Sequence, residues 1–187
     1  MNENNIHNQI EQELEPTQQQ NQWFAARTRK GQELAIRDAL HKLGIECFLP
    51  TRIETRQLKY RKKSVEIPLV RNLIFIHATK QQACDVPNLY GIKLFYIISV
   101  ETKKMLVVPD KQMLDFISLT NLSQEEVSIS EEQHFAVGTK VQITKGKLAG
   151  IEGTLTTLQN NTYVTLCLKG ILTANVKVPK SYLKILE

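Results

Sequence analysis

Between Arg52 and Lys63 the chain carries six bases, Arg52, Arg56, Lys59, Arg61, Lys62 and Lys63, against one acid, Glu54, with Tyr60 interleaved. Bases at this density can neutralise phosphates, and an aromatic ring among them can stack on an unpaired base, so the chemistry on offer is sequence-blind binding of nucleic acid. The plainer reading of such a run is a solvated loop. Reactive chemistry has no comparable foothold. The four histidines, His7, His41, His77 and His134, stand at no metal-ligand spacing with one another or with Cys47, Cys84 and Cys167, and no CxxC pair occurs. There is no GxSxG, no Walker-type loop and no paired-carboxylate motif. The chain therefore reads as a binding protein rather than an enzyme, with no catalytic residue, cofactor or metal expected.

The charge distribution points the same way. The formal net charge of +5 understates the basic character, because the acids are segregated. Glu3, Glu11, Glu13 and Glu15 lie in residues 1–21, and Glu125, Glu126, Glu131 and Glu132 lie in 123–134, both stretches without Lys or Arg. Setting those eight aside leaves 24 bases against 11 acids elsewhere, an excess that suits a polyanionic neighbour. Apolar residues make up 42% of the 187, enough to bury a core. No apolar run approaches the roughly 20 residues of a membrane span, and no basic segment followed by an apolar one opens the chain. Cytoplasmic residence without a membrane partner is the expectation. The cysteines Cys47 and Cys167 sit in apolar runs and read as buried hydrophobes.

The elements that must position the basic stretch follow from periodicity. Residues 1–21, rich in Asn, Gln and Glu, predict a disordered tail. A strand is expected over 22–27, then a helix with Ile36, Leu40 and Leu43 on one face, closed by Gly44. Short strands follow at 46–50 and 65–67, flanking the basic stretch as a presumed hairpin, and 73–76 reads as a central strand. A short helix from Lys80 should stop near Pro87, with extended segments at 94–100 and 105–108. A last helix over about 110–119 carries Met113, Phe116 and Ile117 on one face. The acidic, Ser-containing stretch 121–135 reads as a linker. Beyond it Val141/Ile143, Val164/Leu166/Leu168 and Val176/Val178 alternate at period two, with an Asn160-Asn161 turn, and predict a small barrel over 136–187. The fold class is α+β followed by all-β.

Gly138, Lys140-Val141-Gln142-Ile143, Gly146, Gly150 and Gly153 resemble a KOW motif, a strand–loop–strand unit. Trp23-Phe24, Arg29-Lys30-Gly31-Gln32, Cys47-Phe48-Leu49-Pro50 and the run from Pro68 to Ile76 resemble, in that order, the NGN domain of NusG proteins. Asn72 to His77 and Val107 to Met113 are similar to the specialised UpxY and RfaH antiterminators of that family. The resemblance implies an NGN-type antiparallel sheet with helices over 22–120, a linker over 121–135 and an SH3-like KOW barrel over 136–187.

The same resemblance implies a processive antitermination factor for dedicated, polysaccharide-type operons. It would bind the clamp helices of RNA polymerase through Trp23, Phe24, Val70 and Leu73. It would meet non-template DNA at the transcription bubble through Arg29, Lys42 and the Arg52–Lys63 stretch. A ribosomal protein or Rho would be the partner of the KOW domain. Val70 and Leu73 depart from the family, whose members usually carry aromatic residues there, and Asn72 replaces a frequent Gly. Two alternatives remain open: a housekeeping NusG, and a ribosome-associated KOW protein that binds RNA.

Overall fold

The strand β1 (Gln22–Thr28) pairs antiparallel with β5 (Leu73–Ala78) on one side and β6 (Leu94–Tyr96) on the other. The computed structural model describes residues 20–57, 60–122, 127–130, 138–158, 161–168 and 170–186. All but the last two residues of the expected tail 1–21 therefore lie outside the described residues, as do most of the expected linker and Asn160 of the expected turn. The chain divides into two compact units, Met1–Leu49 with Asn72–Val107, and Pro50–Arg71 with Val108–Glu187. The expected limits of 22–120 and 136–187 cut across this division.

In the first unit β2 (Glu46–Phe48) pairs with β5, giving the order β2-β5-β1-β6, and the two-residue β7 (Val107–Val108) adds to β1. Cross-strand register sets Ala26 opposite Ile74 and Phe24 opposite Ile76. Ala26, Ile74 and Ile76 join Ile36 and Leu40 of helix α1 (Glu33–Lys42), Val86 of helix α2 (Lys80–Asn88), Ile45, Leu49 and Leu94 in one core. Each large side chain taken out of water there contributes about 1.5–3 kcal/mol. Leu43, expected on the buried face of α1, is exposed instead. The helix ends at Lys42 and Leu43 is its cap, so the period no longer applies; Gly44 at φ 69° turns the chain as expected.

The residues opposite that core are buried too. Trp23, Ala25, Leu73 and Phe75 point to the other face of the sheet, and Trp23 is only 6% exposed, Phe24 2%. Alternation along β1 required only one of Trp23 and Phe24 to be inside, whereas the structure buries both. Trp23 stacks on His77 with centroids 4.6 Å apart, and Phe24 meets Tyr96 edge-on at 6.1 Å.

Helix α2 starts on a reciprocal cap. The Gln82 N–H donates to Thr79 Oγ1 at 3.2 Å, and the Thr79 N–H donates to Gln82 Oε1 at 3.1 Å. It ends at Asn88, next to Pro87 as expected, with the proline inside its last turn. Pro87 cannot donate to the carbonyl four residues back, that of Ala83, and the Tyr96 hydroxyl donates there instead at 2.7 Å. The freed acceptor is satisfied, which lowers the cost of the proline.

Entry to β5 depends on a buried acid. Asn72 has φ 56°, a value that Asn tolerates better than most residues, and its N–H donates to Glu33 Oε1 at 2.9 Å. Glu33 is 4% exposed. Glu33→Ala should destabilise the protein by about 1–3 kcal/mol, because the half-buried Asn72 amide loses a charged acceptor. Asn72→Gly should be tolerated and Asn72→Val should not. Urea melts of the three variants check this, and a Glu33→Ala midpoint equal to wild type would contradict it.

In the second unit β3 (Thr51–Gln57) and β4 (Lys62–Pro68) form the expected antiparallel hairpin. Helix α3 (Asp110–Thr120) buries Met113, Phe116 and Leu119, three residues apart; Leu119 replaces the expected Ile117, which is only half-buried. It packs on β11 (Asn161–Leu168) and β12 (Leu172–Lys177). A six-stranded antiparallel sheet runs in the order β13-β9-β10-β11-β12-β8, with β8 at Val127–Ser130, β9 at Lys140–Ile143, β10 at Glu152–Leu158 and β13 at Leu183–Ile185.

Strand β8 falls inside the stretch expected to be linker. Its Val127 and Ile129 lie opposite Val176 and Ala174, so pairing with β12 orders it despite its polar neighbours. The alternating residues Val141, Ile143, Val164, Leu166, Leu168, Val176 and Val178 are all buried, as expected. Cys167 is not: it is exposed, because Leu166 and Leu168 on either side take the interior positions of β11.

Candidate nucleic-acid interface

Strand geometry sorts the basic stretch by face. Residues two apart on β3 share a face, so Arg52, Glu54 and Arg56 stand together, and register adds Ile67, Val65 and Lys63 from β4. The opposite face carries Thr51, Ile53, Thr55 and Gln57 with Pro68, Glu66, Ser64 and Lys62. On it the Thr51 hydroxyl donates to Glu66 Oε1 at 2.7 Å. Three of the six bases, Arg52, Arg56 and Lys63, are therefore brought to one surface, while Lys62 is on the other. Arg61 precedes β4 and is exposed, and Tyr60 near the tip is 88% exposed. Lys59 lies outside the described residues.

The one acid of the stretch belongs to this face as well. Glu54 stands between the two arginines, with Oε2 3.5 Å from Arg52 Nη2 and Oε1 3.7 Å from Arg56 Nε. All three side chains are exposed by 40–55%. The signal was present: Arg-x-Glu-x-Arg at period two puts all three on one face of any strand.

Arg29 and Lys42 belong to the first unit and are exposed, Arg29 in the turn after β1 and Lys42 at the last position of α1. The residues that the resemblance implies for polymerase contact are placed differently. Trp23, Phe24 and Leu73 are buried in the first unit, and Val70, between β4 and β5, is buried as well. Leu73 lies opposite Arg27 on β1, and Trp23 carries the His77 ring on its face.

Burial suppresses ionisation at two side chains of the first unit, Cys47 and Tyr96. Burial pushes the Cys47 thiol up to about 11, and its sulfur lies 3.9 Å from the Arg37 carbonyl. Burial likewise raises the Tyr96 phenol, whose proton is committed to Ala83. Among the described residues no three His, Cys, Asp or Glu side chains gather into a metal-binding group. No helix among them is long and apolar enough to cross a membrane.

The family model described as transcription termination factor nusG matches residues 21–117. Similar solved structures include Thermotoga maritima NusG, 18% identical, with 90% of this chain and 98% of that chain covered at a TM-score of 0.47. A chain of the MjSpt4:Spt5 complex is 16% identical, with 88% and 97% covered at a TM-score of 0.25. No curated protein matches. The family match, which spans more than half of the chain, carries the assignment.

Proposed function

This chain belongs to the NusG family of transcription factors, and on that footing we propose that it acts on elongating RNA polymerase, with the β3–β4 hairpin directed at nucleic acid of the transcription bubble. The observation that carries the hairpin's part is the grouping of Arg52, Arg56 and Lys63 on one face, with Tyr60 exposed near the tip. Such a surface attracts phosphate without reading sequence, and an exposed ring can stack on a base that has lost its partner. The protein would work in the cytoplasm as a binding factor, suppressing pausing and termination.

The strings that resemble UpxY and RfaH favour dedicated, polysaccharide-type operons over a housekeeping role. Deleting the gene would distinguish the two, since loss of distal transcripts from a few operons fits the first and a global defect fits the second. Contact with the clamp helices through Trp23, Phe24, Val70 and Leu73 would require those side chains to be uncovered, because all four are buried here. The stretch 136–187, whose sequence resembles KOW, would make the second contact, with a ribosomal protein or Rho.

The hairpin's role predicts an asymmetry between its faces. Replacing Arg56 and Lys63 with Ser should flatten the salt dependence of binding to a polymerase–bubble complex by about 0.7 in slope for each single-strand phosphate no longer neutralised. Lys62→Ser, on the opposite face, should leave the slope nearly unchanged. These are exposed positions, so stability should shift by no more than about 0.5 kcal/mol. Equal slopes for all three proteins would make the stretch a solvated surface. Recovery of the chain with ribosomal subunits, and not with polymerase, would replace this reading with the ribosome-associated one.

A further inference from the structure

Glu54 occupies the position between Arg52 and Arg56 that a phosphate would take. Its two carboxylate oxygens are divided between the guanidinium groups, one to each, at 3.5 and 3.7 Å. The arginine Cα atoms lie four residues apart on an extended strand, about 13 Å, and the carboxylate fills the interval. Lys63, directly across from Arg56, completes the basic surface, and the residues opposite Glu54 and Arg52 are Val65 and Ile67. In the register of this face Glu54 is thus the acid set among three bases.

From this arrangement we infer that Glu54 is a built-in competitor for phosphate, which sets how strongly the hairpin binds single-stranded nucleic acid. This rests on the nucleic-acid reading above. A polyanion approaching the face must displace or share the carboxylate on both arginines while meeting its negative charge. Contacts at 3.5–3.7 Å between half-exposed groups are weak enough to exchange. The carboxylate therefore selects against stray strands that offer one phosphate at a time. It yields to a strand held in place by other contacts, as at a polymerase-bound bubble, where the local concentration of phosphate is high.

The test uses the full chain and a fluorescein-labelled single-stranded oligonucleotide of mixed sequence, titrated across a salt series. Glu54→Gln removes the charge and keeps the shape. It should tighten binding about three- to ten-fold at low salt, the size of one charge removed at contact distance in a largely aqueous setting. The salt slope should steepen by about 0.7 for each phosphate newly engaged. The gain should vanish when Arg52→Ser and Arg56→Ser are added, and circular dichroism should show an unchanged fold in each variant. Three results would overturn the inference. If Glu54→Gln leaves affinity unchanged while the arginine pair matters, the nucleic-acid reading survives and the competitor role falls. If Glu54→Gln weakens binding, the acid orients the arginines and does not compete. If neither Glu54 nor the arginines affect binding, both the inference and the reading beneath it fail.

Discussion

Leu73→Asp should abolish cooperative folding of the first unit, and Leu73→Ala should lower its stability by about 2–5 kcal/mol. The side chain is completely buried at the first position of β5, across from Arg27 and beside the run Ile74-Phe75-Ile76, which is buried throughout. A carboxylate there would lose its hydration, which the one guanidinium across the ladder, Arg27, offsets only in part, and it would either stay protonated or force the strand open. Trp23 makes the measurement specific, because it is the single tryptophan of the chain and lies on the same face of the same sheet. Its stacking on His77 should disappear with the unit, changing the emission together with the far-ultraviolet dichroism. Native emission and an unchanged melt for Leu73→Asp would show the residue to be at the surface. It would then be available for the polymerase contact that the family resemblance implies.

The β-rich unit has an equally sensitive point at Gly153. A Cβ on this residue would stand 2.7 Å from the Thr165 carbonyl oxygen and 2.7 Å from Val164 Cγ1. Gly153 is held on both sides, facing Val141 of β9 in the ladder and pressed against β11, so neither strand can retreat without losing pairing. Gly153→Ala should therefore cost about 3 kcal/mol or more, the upper end of overpacking penalties, since the obstructing atom is backbone. Gly150 differs, with φ 96° and open space around a would-be Cβ, so a substitution there meets backbone strain but no clash. Urea denaturation of both variants separates these causes. A Gly153→Ala midpoint equal to wild type would mean that the strands are not so closely apposed.

These two residues also mark what the sequence could and could not convey. The apolar run 73–76, the Ile36–Leu40 spacing and the alternation in β9, β11 and β12 identified elements, because one segment's own period reveals which of its faces is apolar. Period does not reveal whether the second face is covered, so Trp23 and Phe24 could not both be assigned to the interior. Nor does it reveal partners: β8 is a strand because β12 lies beside it, and α2 keeps Pro87 because Tyr96, nine residues later, reaches the orphaned carbonyl. The glycine pattern was legible as a tight loop, and Gly146 and Gly150 do have positive φ. Gly153 serves close strand approach instead, which only the neighbouring strand explains. At the candidate site the density of bases was evident from the sequence. Their partition between two faces, and the place of Glu54 among them, required the register of the hairpin.

That hairpin also leaves and rejoins the chain at nearly one point. Thr51 pairs with Pro68, and just outside them the Leu69 N–H donates to the Pro50 carbonyl at 2.8 Å, closing the base. Everything beyond this clasp is suspended from two adjacent backbone positions. Rungs can be added or removed at the far end in matched pairs while the two attachment points stay where they are. The segment thus has the construction of an exchangeable cassette. Related chains could differ widely in the length and charge of this arm over a shared scaffold, and transplanting an arm between them would need only the clasp to be preserved.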